Sequence, residues 1–285
     1  MCLASVSKQL TDANSSVEII VSDDCSSKKN RVLNKNISIA YNSKYLFSEK
    51  NIGSGATRNI GVKESCGDWI AFLDDDVKVD DFWLENIIKK VNNCNMKTCG
   101  IEGRVVASGA GLWDSEIENL NGNLFLTANI IYRKKELLEC GLFDARLLNY
   151  GEDQELALRM EMLGEIFFDS TVSVTHAPRK INFLSYLLNS FIRMQNFLNS
   201  ENIFYRKHPK KYGSLRYADT FYGTLFSTCL KHTYLGLKRR KLMRLLTKPV
   251  STFMLIIILI TEQVAALFFA PKYFIDNAIN INKET

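Results

Sequence analysis

The sequence predicts an α/β fold, with a mixed or mostly parallel sheet, helices on both faces and a helical extension behind it. Three observations carry this reading. Short apolar runs alternate with helical patterns up to about residue 176. One of them, Ile70-Ala71-Phe72-Leu73, runs straight into Asp74-Asp75-Asp76-Val77. From Ile181 onward the strand signals stop. The expected division is therefore a sheet domain over residues 1–180 and an extension over 181–285.

The run at Ile70 reads as a buried strand. Its carboxylates then stand at the carboxyl edge of the sheet, where open α/β folds bind ligands. Three adjacent carboxylates repel one another unless a cation joins them. A hard divalent ion, Mg²⁺ or Mn²⁺, held through oxygen and often shared with substrate phosphates, suits such a group. The ordinary alternative is a solvated acidic loop.

Taken in order, residues 2–11 suit one or two helical turns, and Val17-Glu18-Ile19-Ile20-Val21-Ser22 is the first clear strand. It ends in the turn Asp23-Asp24-Cys25-Ser26-Ser27, and residues 28–36 follow as a helix. Ile37 to Ala40 and Tyr45 to Phe47 are short strand candidates. Asn51 to Gly61 opens a helix through Gly53-Ser54-Gly55, a tight turn or half of a dinucleotide fingerprint. Asp80 to Asn93 is helical, with Phe82, Trp83, Ile87, Ile88 and Val91 near helical spacing. Cys99 to Ala107 is a strand, residues 108–123 a long polar loop, Leu124 to Tyr132 a strand and Lys134 to Cys140 a short helix. Tyr150-Gly151-Glu152-Asp153 starts the next helix, placing two acids where the helix dipole favours anions. Ile166 to Phe168 and Thr171 to Thr175 are strands that end at His176-Ala177-Pro178.

Composition sets the outer bounds. A hydrophobic content of 46% excludes a disordered chain. The net charge of +5 conceals a split: residues 1–180 carry 21 Lys+Arg against 26 Asp+Glu, and the remainder is strongly basic. The seven cysteines are scattered, with no C-x-x-C pair, which suits reduced thiols in a cytosolic setting. Met1 to Leu10 has neither the basic start nor the apolar core of a signal peptide.

Four blocks in order now resemble glycosyltransferase family 2, nucleotide-sugar-dependent enzymes of GT-A fold. Glu18 to Ser26 is similar to their EIIVVDDxS block, and Asn51 to Gly61 to NxGxxxARNxG. Ile70 to Asp76 resembles the strand with the DXD motif, and Gly151-Glu152-Asp153 the ED motif. The resemblance covers roughly residues 3–178. It implies a metal-assisted, inverting transfer of a sugar from a UDP-, GDP- or dTDP-sugar to a glycan or lipid-linked acceptor, with Mg²⁺ or Mn²⁺ as cofactor.

The same resemblance distributes roles. Asp76 is the metal-binding acid, and Asp74 meets the ribose or the metal. Asp75 is the middle position, at the donor or simply solvated. Asp24 stands near the nucleobase, with Asp23 either sharing that role or capping the turn. Arg58 and Asn59 line the donor site. Asp153 is the general base and Glu152 shapes its surroundings; the alternative for the pair is helix capping. His176 joins the metal or is structural. Arg179 and Lys180 meet the diphosphate or lie on the surface. The family's opening strand, ending Pro-x-(Tyr/Phe)-Asn, has no counterpart before Met1-Cys2-Leu3. Its absence should leave two unpaired strand edges. A truncated, non-catalytic membrane-associated relative is the alternative function, and a nucleotidyltransferase of similar topology a third.

The extension has its own pattern. Between Arg206 and Lys248 stand twelve Lys+Arg against Asp219 alone. Val250 to Ala270 contains only Glu262 as a charge, and is long enough to cross a bilayer. Glu262 would cost roughly 2.5–3.5 kcal/mol on insertion scales, which the Ile, Leu and Phe residues offset. The basic cluster before it would keep the enzyme domain at the cytoplasmic face of the membrane, through a single span or an interfacial helix attracted to anionic lipid. Apolar residues interleave with the basic ones throughout, which argues against nucleic acid as a partner.

Overall fold

The computed structural model describes residues 1–10, 17–109, 117–148 and 150–180, and single residues between 196 and 208. The chain divides into two units, residues 1–109 with 117–177, and residues 110–116 with 178–285. The expected span at Val250 to Ala270 lies outside the described residues. Among the described residues no helix is long and apolar enough to cross a membrane.

The first unit runs α1 (Cys2–Ser7), β1 (Ile20–Asp23), α2 (Lys28–Ala40), β2 (Lys44–Phe47), α3 (Ser54–Glu64), β3 (Trp69–Leu73), β4 (Val77–Val79), α4 (Trp83–Asn93), β5 (Thr98–Ala107), β6 (Asn129–Arg133), α5 (Lys134–Glu139), α6 (Glu152–Met160) and β7 (Glu165–His176). The strands form two sheets: a parallel pair β1-β2, and five strands in the order β3-β6-β5-β7-β4. The larger sheet is mixed. β6 pairs antiparallel with both β3 and β5, β4 pairs antiparallel with β7, and β5 and β7 run parallel.

Side-chain alternation along the strands divides the core into two layers. Val77, Val79, Ile101, Ile131 and Val174 face α1 and α4 through Val6, Trp83, Leu84 and Ile87. Phe72, Cys99, Ile130 and Tyr132 face α3, α5 and α6 through Val62, Leu137, Leu156 and Met160. Helices on both faces follow from this alternation.

β1 pairs only with β2 and β3 only with β6, so each keeps one edge without a strand among the described residues. The two sheets are tied at one end. Glu18, just before β1, accepts from the backbone N–H groups of Cys66 and Gly67, just ahead of β3.

Four expectations give way. Ile37 to Ala40 completes α2 instead of forming a strand. Ser27 caps that helix at its start, and the pairing of Lys44 with Ile20 begins the next strand only at residue 44. Leu124 to Ala128 is loop, because the Glu102 carboxylate takes the N–H groups of Asn123, Leu124 and Phe125 that a strand would use. The two strands expected around residue 170 are one strand, β7, with a register shift opposite Gly103/Arg104. Phe82 is not on the buried face of α4: it is left-handed (φ 63°), 67% exposed, and marks the helix start.

One buried side chain joins three elements of the larger sheet layer. The Asn129 amide donates to the carbonyls of Arg104 and Val172 at 2.9 Å, and its oxygen accepts from Trp83 Nε1 at 3.0 Å. A Cβ at Gly103 would stand 2.1 Å from that amide nitrogen, so only glycine fits beside it. Asn129→Leu strands three buried polar groups. Each costs about 1–3 kcal/mol, so we expect a loss of at least about 3 kcal/mol in urea unfolding. A loss below about 1 kcal/mol would show that the amide is dispensable.

Candidate active site

The site assembles at the ends of β1, β3 and β7 and at the starts of α3 and α6. β3 ends at Leu73, which puts Asp74, Asp75 and Asp76 at the edge of the sheet before β4 begins. β4 pairs with β7 so that Val77 lies opposite His176, and Ala177 N–H donates to the Asp76 carbonyl at 3.0 Å. Asp74, Asp76 and His176 thereby bring three potential ligand atoms within 4.8 Å of one another. Asp75 is exposed and stands outside this group.

The histidine ring shows what this cluster is suited to hold. His176 is buried, and its Nδ1 lies 2.8 Å from the Ala177 carbonyl. A carbonyl only accepts, so the hydrogen-bond network assigns the proton to Nδ1. Nε2 then faces Asp76 Oδ1 at 3.2 Å. Two lone pairs at that distance call for a proton or a cation between them. Burial raises the Asp76 carboxyl above its usual range, His176 lowers it, and the neighbouring charges of Asp74 and Asp75 raise it further. Two carboxylate oxygens and one imidazole nitrogen are a donor set that fits Mg²⁺ or Mn²⁺.

The second half of the site is the start of α6. Gly151, left-handed at φ 76°, turns the chain into the helix, and Glu152, Asp153 and Glu155 occupy its first turn. Glu152 is buried. Its Oε1 accepts from Ser54 Oγ at 2.6 Å and lies 3.3 Å from Arg58. Arg58 also reaches Asp74 Oδ1 at 2.9 Å. One guanidinium thus spans the acids after β3 and the acids of α6, with only a fifth of its side chain exposed. Asp153 lies one step further round the helix, in register with the core residues Leu156 and Met160. Its partner is the Gln154 N–H at 2.9 Å. Burial, and next the charge of Glu152, push its carboxyl up to about 7.

The two acids after β1 hold the site's shape. Asp24 accepts from the N–H groups of Ile52 and Gly53 at 2.8 and 2.9 Å, fixing the loop that opens α3. Asp23 is buried and accepts from Ser26 N–H, Asn34 and Tyr45. Of the two uses expected for Asp23, its contacts are those of the turn cap. Burial works to raise its carboxyl, but the Tyr45, Asn34 and Ser26 hydrogen bonds together hold it below the usual range. Arg179 and Lys180 are exposed.

Sequence reasoning missed two contributors, Ser54 and Glu102, and the partner of Asn59. Ser54 and Asn59 pair with residues far along the chain, which no local pattern signals. Glu102, fully within β5, accepts from Asn119, Asn123, Leu124 and Phe125 and pins the loop after residue 117. A lone acid between Ile101 and Gly103 in an apolar strand was the available signal.

The mixed sheet with helices on both faces that carries this site is the fold of the GT-A glycosyltransferases. The solved structures agree. The mannosyltransferase PcManGT from Pyrobaculum calidifontis, in complex with GDP-Man and Mn²⁺, superposes with a TM-score of 0.57 at 13% identity. The match covers 94% of this chain and 81% of that one. S. aureus TarS 1–349, in complex with UDP-GlcNAc, gives 0.52 at 16% identity, over 95% and 87% of the two chains.

Residues 1–138 match the family model for glycosyl transferase family 2. Glycosyltransferase AglE of Haloferax volcanii is 25% identical over 162 residues, 53% of either chain. An uncharacterized glycosyltransferase of Haemophilus influenzae is 41% identical over 63 residues, 22% of this chain and 20% of its own. This chain therefore spans about half the length, or less, of these two relatives. Over residues 1–138 it is similar to glycosyltransferase family 2.

Proposed function

We propose that the protein transfers a sugar from a nucleoside-diphosphate sugar to an acceptor hydroxyl, with inversion. The observation that carries this reading is the Arg58 bridge, which brings Asp74 and Glu152 into one site. The structural neighbours bound to GDP-Man and UDP-GlcNAc support a donor of this class. Asp74, Asp76 and His176 would hold the divalent ion. When bound, that ion supplies positive charge to the departing diphosphate.

The chain's own residues carry the remaining work. Asp153 takes the proton of the acceptor hydroxyl as its oxygen bonds to the anomeric carbon. The bond from that carbon to the diphosphate oxygen breaks, and the nucleoside diphosphate leaves with the electron pair. A carboxyl held near 7 is half deprotonated close to neutral pH and strong enough to accept the proton, as a general base requires. Arg58 sets its positive charge between Glu152 and Asp74 and offsets their mutual repulsion. Asp24 fixes the Asn51–Gly53 loop beside the donor.

The acceptor is a glycan or a lipid-linked glycan, and residues 181–285 place the domain at the cytoplasmic face of a membrane. The basic residues from 206 to 248 and the apolar stretch 250–270 motivate that placement. Fractionation of cells with and without residues 206–285 tests it, and an unchanged soluble fraction would refute it.

The functional reading is tested by nucleoside diphosphate release. The purified full-length protein is incubated with UDP-, GDP- and dTDP-sugars, with Mn²⁺ or Mg²⁺. Release from at least one donor, abolished by chelator, is expected. No release from any donor would overturn the reading.

A further inference from the structure

One face of α3 lies against the segment that leads into the proposed base, and the contacts are specific. The Asn59 side chain pairs with the backbone of Phe143 in both directions: Oδ1 accepts from its N–H and Nδ2 donates to its carbonyl, each at 2.9 Å. Ser54 Oγ donates to Glu152 at 2.6 Å. Gly55 lets the two segments approach, since a Cβ there would stand 3.1 Å from Phe143 Cβ and 3.7 Å from Glu152 Cβ. Residues 54, 55, 58 and 59 form one helical face. The entry to α3 is in turn fixed by Asp24 through Ile52 and Gly53.

Phe143 precedes Gly151 in the segment that leads to α6, and Glu152 adjoins Asp153. Fixing both ends of this segment against one helix fixes where the Asp153 carboxylate stands. We propose that Ser54 and Asn59 are positioning residues for the base: they set the start of α6 relative to the donor side and act on the chemical step, not on donor affinity. This rests on the functional reading above and deepens it. It differs from a donor-lining role for the Arg58-Asn59 pair, because Asn59 spends both of its polar atoms on Phe143.

Misplacement of a reacting group by about 1 Å can cost up to about a hundredfold in rate. The test uses Mn²⁺-dependent release of UDP from UDP-GlcNAc, or of GDP from GDP-mannose, whichever the wild type turns over, or failing both the donor it selects from the panel. Ser54→Ala is expected to lower kcat about tenfold with donor KM unchanged within twofold, and Ser54→Thr, which keeps the hydroxyl, to restore it. Asn59→Ala is expected to lower kcat at least as far and also to lower the melting temperature. Ser54 lies at the helix entry and carries no core packing, so its variant keeps the test decisive if Asn59→Ala unfolds. Unchanged kcat in Ser54→Ala overturns the proposal. So does a tenfold rise in donor KM, whatever kcat does, or failure of Ser54→Thr to recover. A wild type that releases nothing from any nucleotide-sugar overturns the functional reading, and this inference with it.

Discussion

Asp153→Asn should lower the transfer rate by about 10²–10⁴-fold, the usual contribution of a general base, while making the protein more stable above pH 7. The two effects have one cause. Asp153 is half-buried, and burial, and next the charge of Glu152, raise its carboxyl from 3.8 to about 7. Between those values the folded protein holds a proton that the unfolded chain has released. Stability therefore falls as pH rises through this window and stays reduced above it. The neutral amide carries no such penalty. A melting curve at pH 8 should place Asp153→Asn above the wild type, and the two should converge near pH 4. The wild-type rate should climb with pH through about 7 as the base loses its proton. Loss of activity with an equal loss of stability would make Asp153 a structural residue. A flat pH–rate profile across that range would remove it as the base.

The second large effect belongs to Asp76. Asp76→Asn turns one of three charged or basic ligand groups into a neutral amide and removes the charge that faces His176 Nε2. Electrostatic stabilisation of a leaving group is worth about 10²–10³-fold per key contact, and a loss of at least that size is expected at saturating donor. Higher Mn²⁺ should recover part of it, because Asp74 and His176 remain. Asp75→Asn is the matched control: exposed and outside the cluster, it should change the rate by less than about twofold. If the two variants behave alike, the acids act only through their summed field, and the assignment of a metal site to Asp74, Asp76 and His176 fails.

The parts of this site that were legible in the sequence are those whose chemistry is local. An apolar strand running into adjacent carboxylates, and an acidic pair after a glycine at a helix start, each declare themselves within a few residues. The order of four such blocks then carried the resemblance to glycosyltransferase family 2. What was not legible depends on distant partners. Asn59 reaches Phe143 and Arg58 reaches Glu152, pairings that no local pattern shows. Leu124 to Ala128 has the composition of a strand, and only the buried Glu102 carboxylate shows why its backbone is used elsewhere. Ile37 to Ala40 is β-rich, yet the register of β2 against β1 lets the helix run through it. In each case a tertiary contact outweighs a local preference.

The central claim is that Asp74, Asp76 and His176 hold a divalent ion that receives the donor diphosphate. The most direct test is calorimetric titration of UDP and GDP into the full-length protein, with Mn²⁺ and with chelator, in the wild type and in Asp76→Asn. At least one nucleotide should bind the wild type with Mn²⁺. Its affinity should fall tenfold or more with chelator, and similarly in Asp76→Asn with Mn²⁺ present. Binding of equal strength with and without the metal, or unaffected by Asp76→Asn, would contradict the claim.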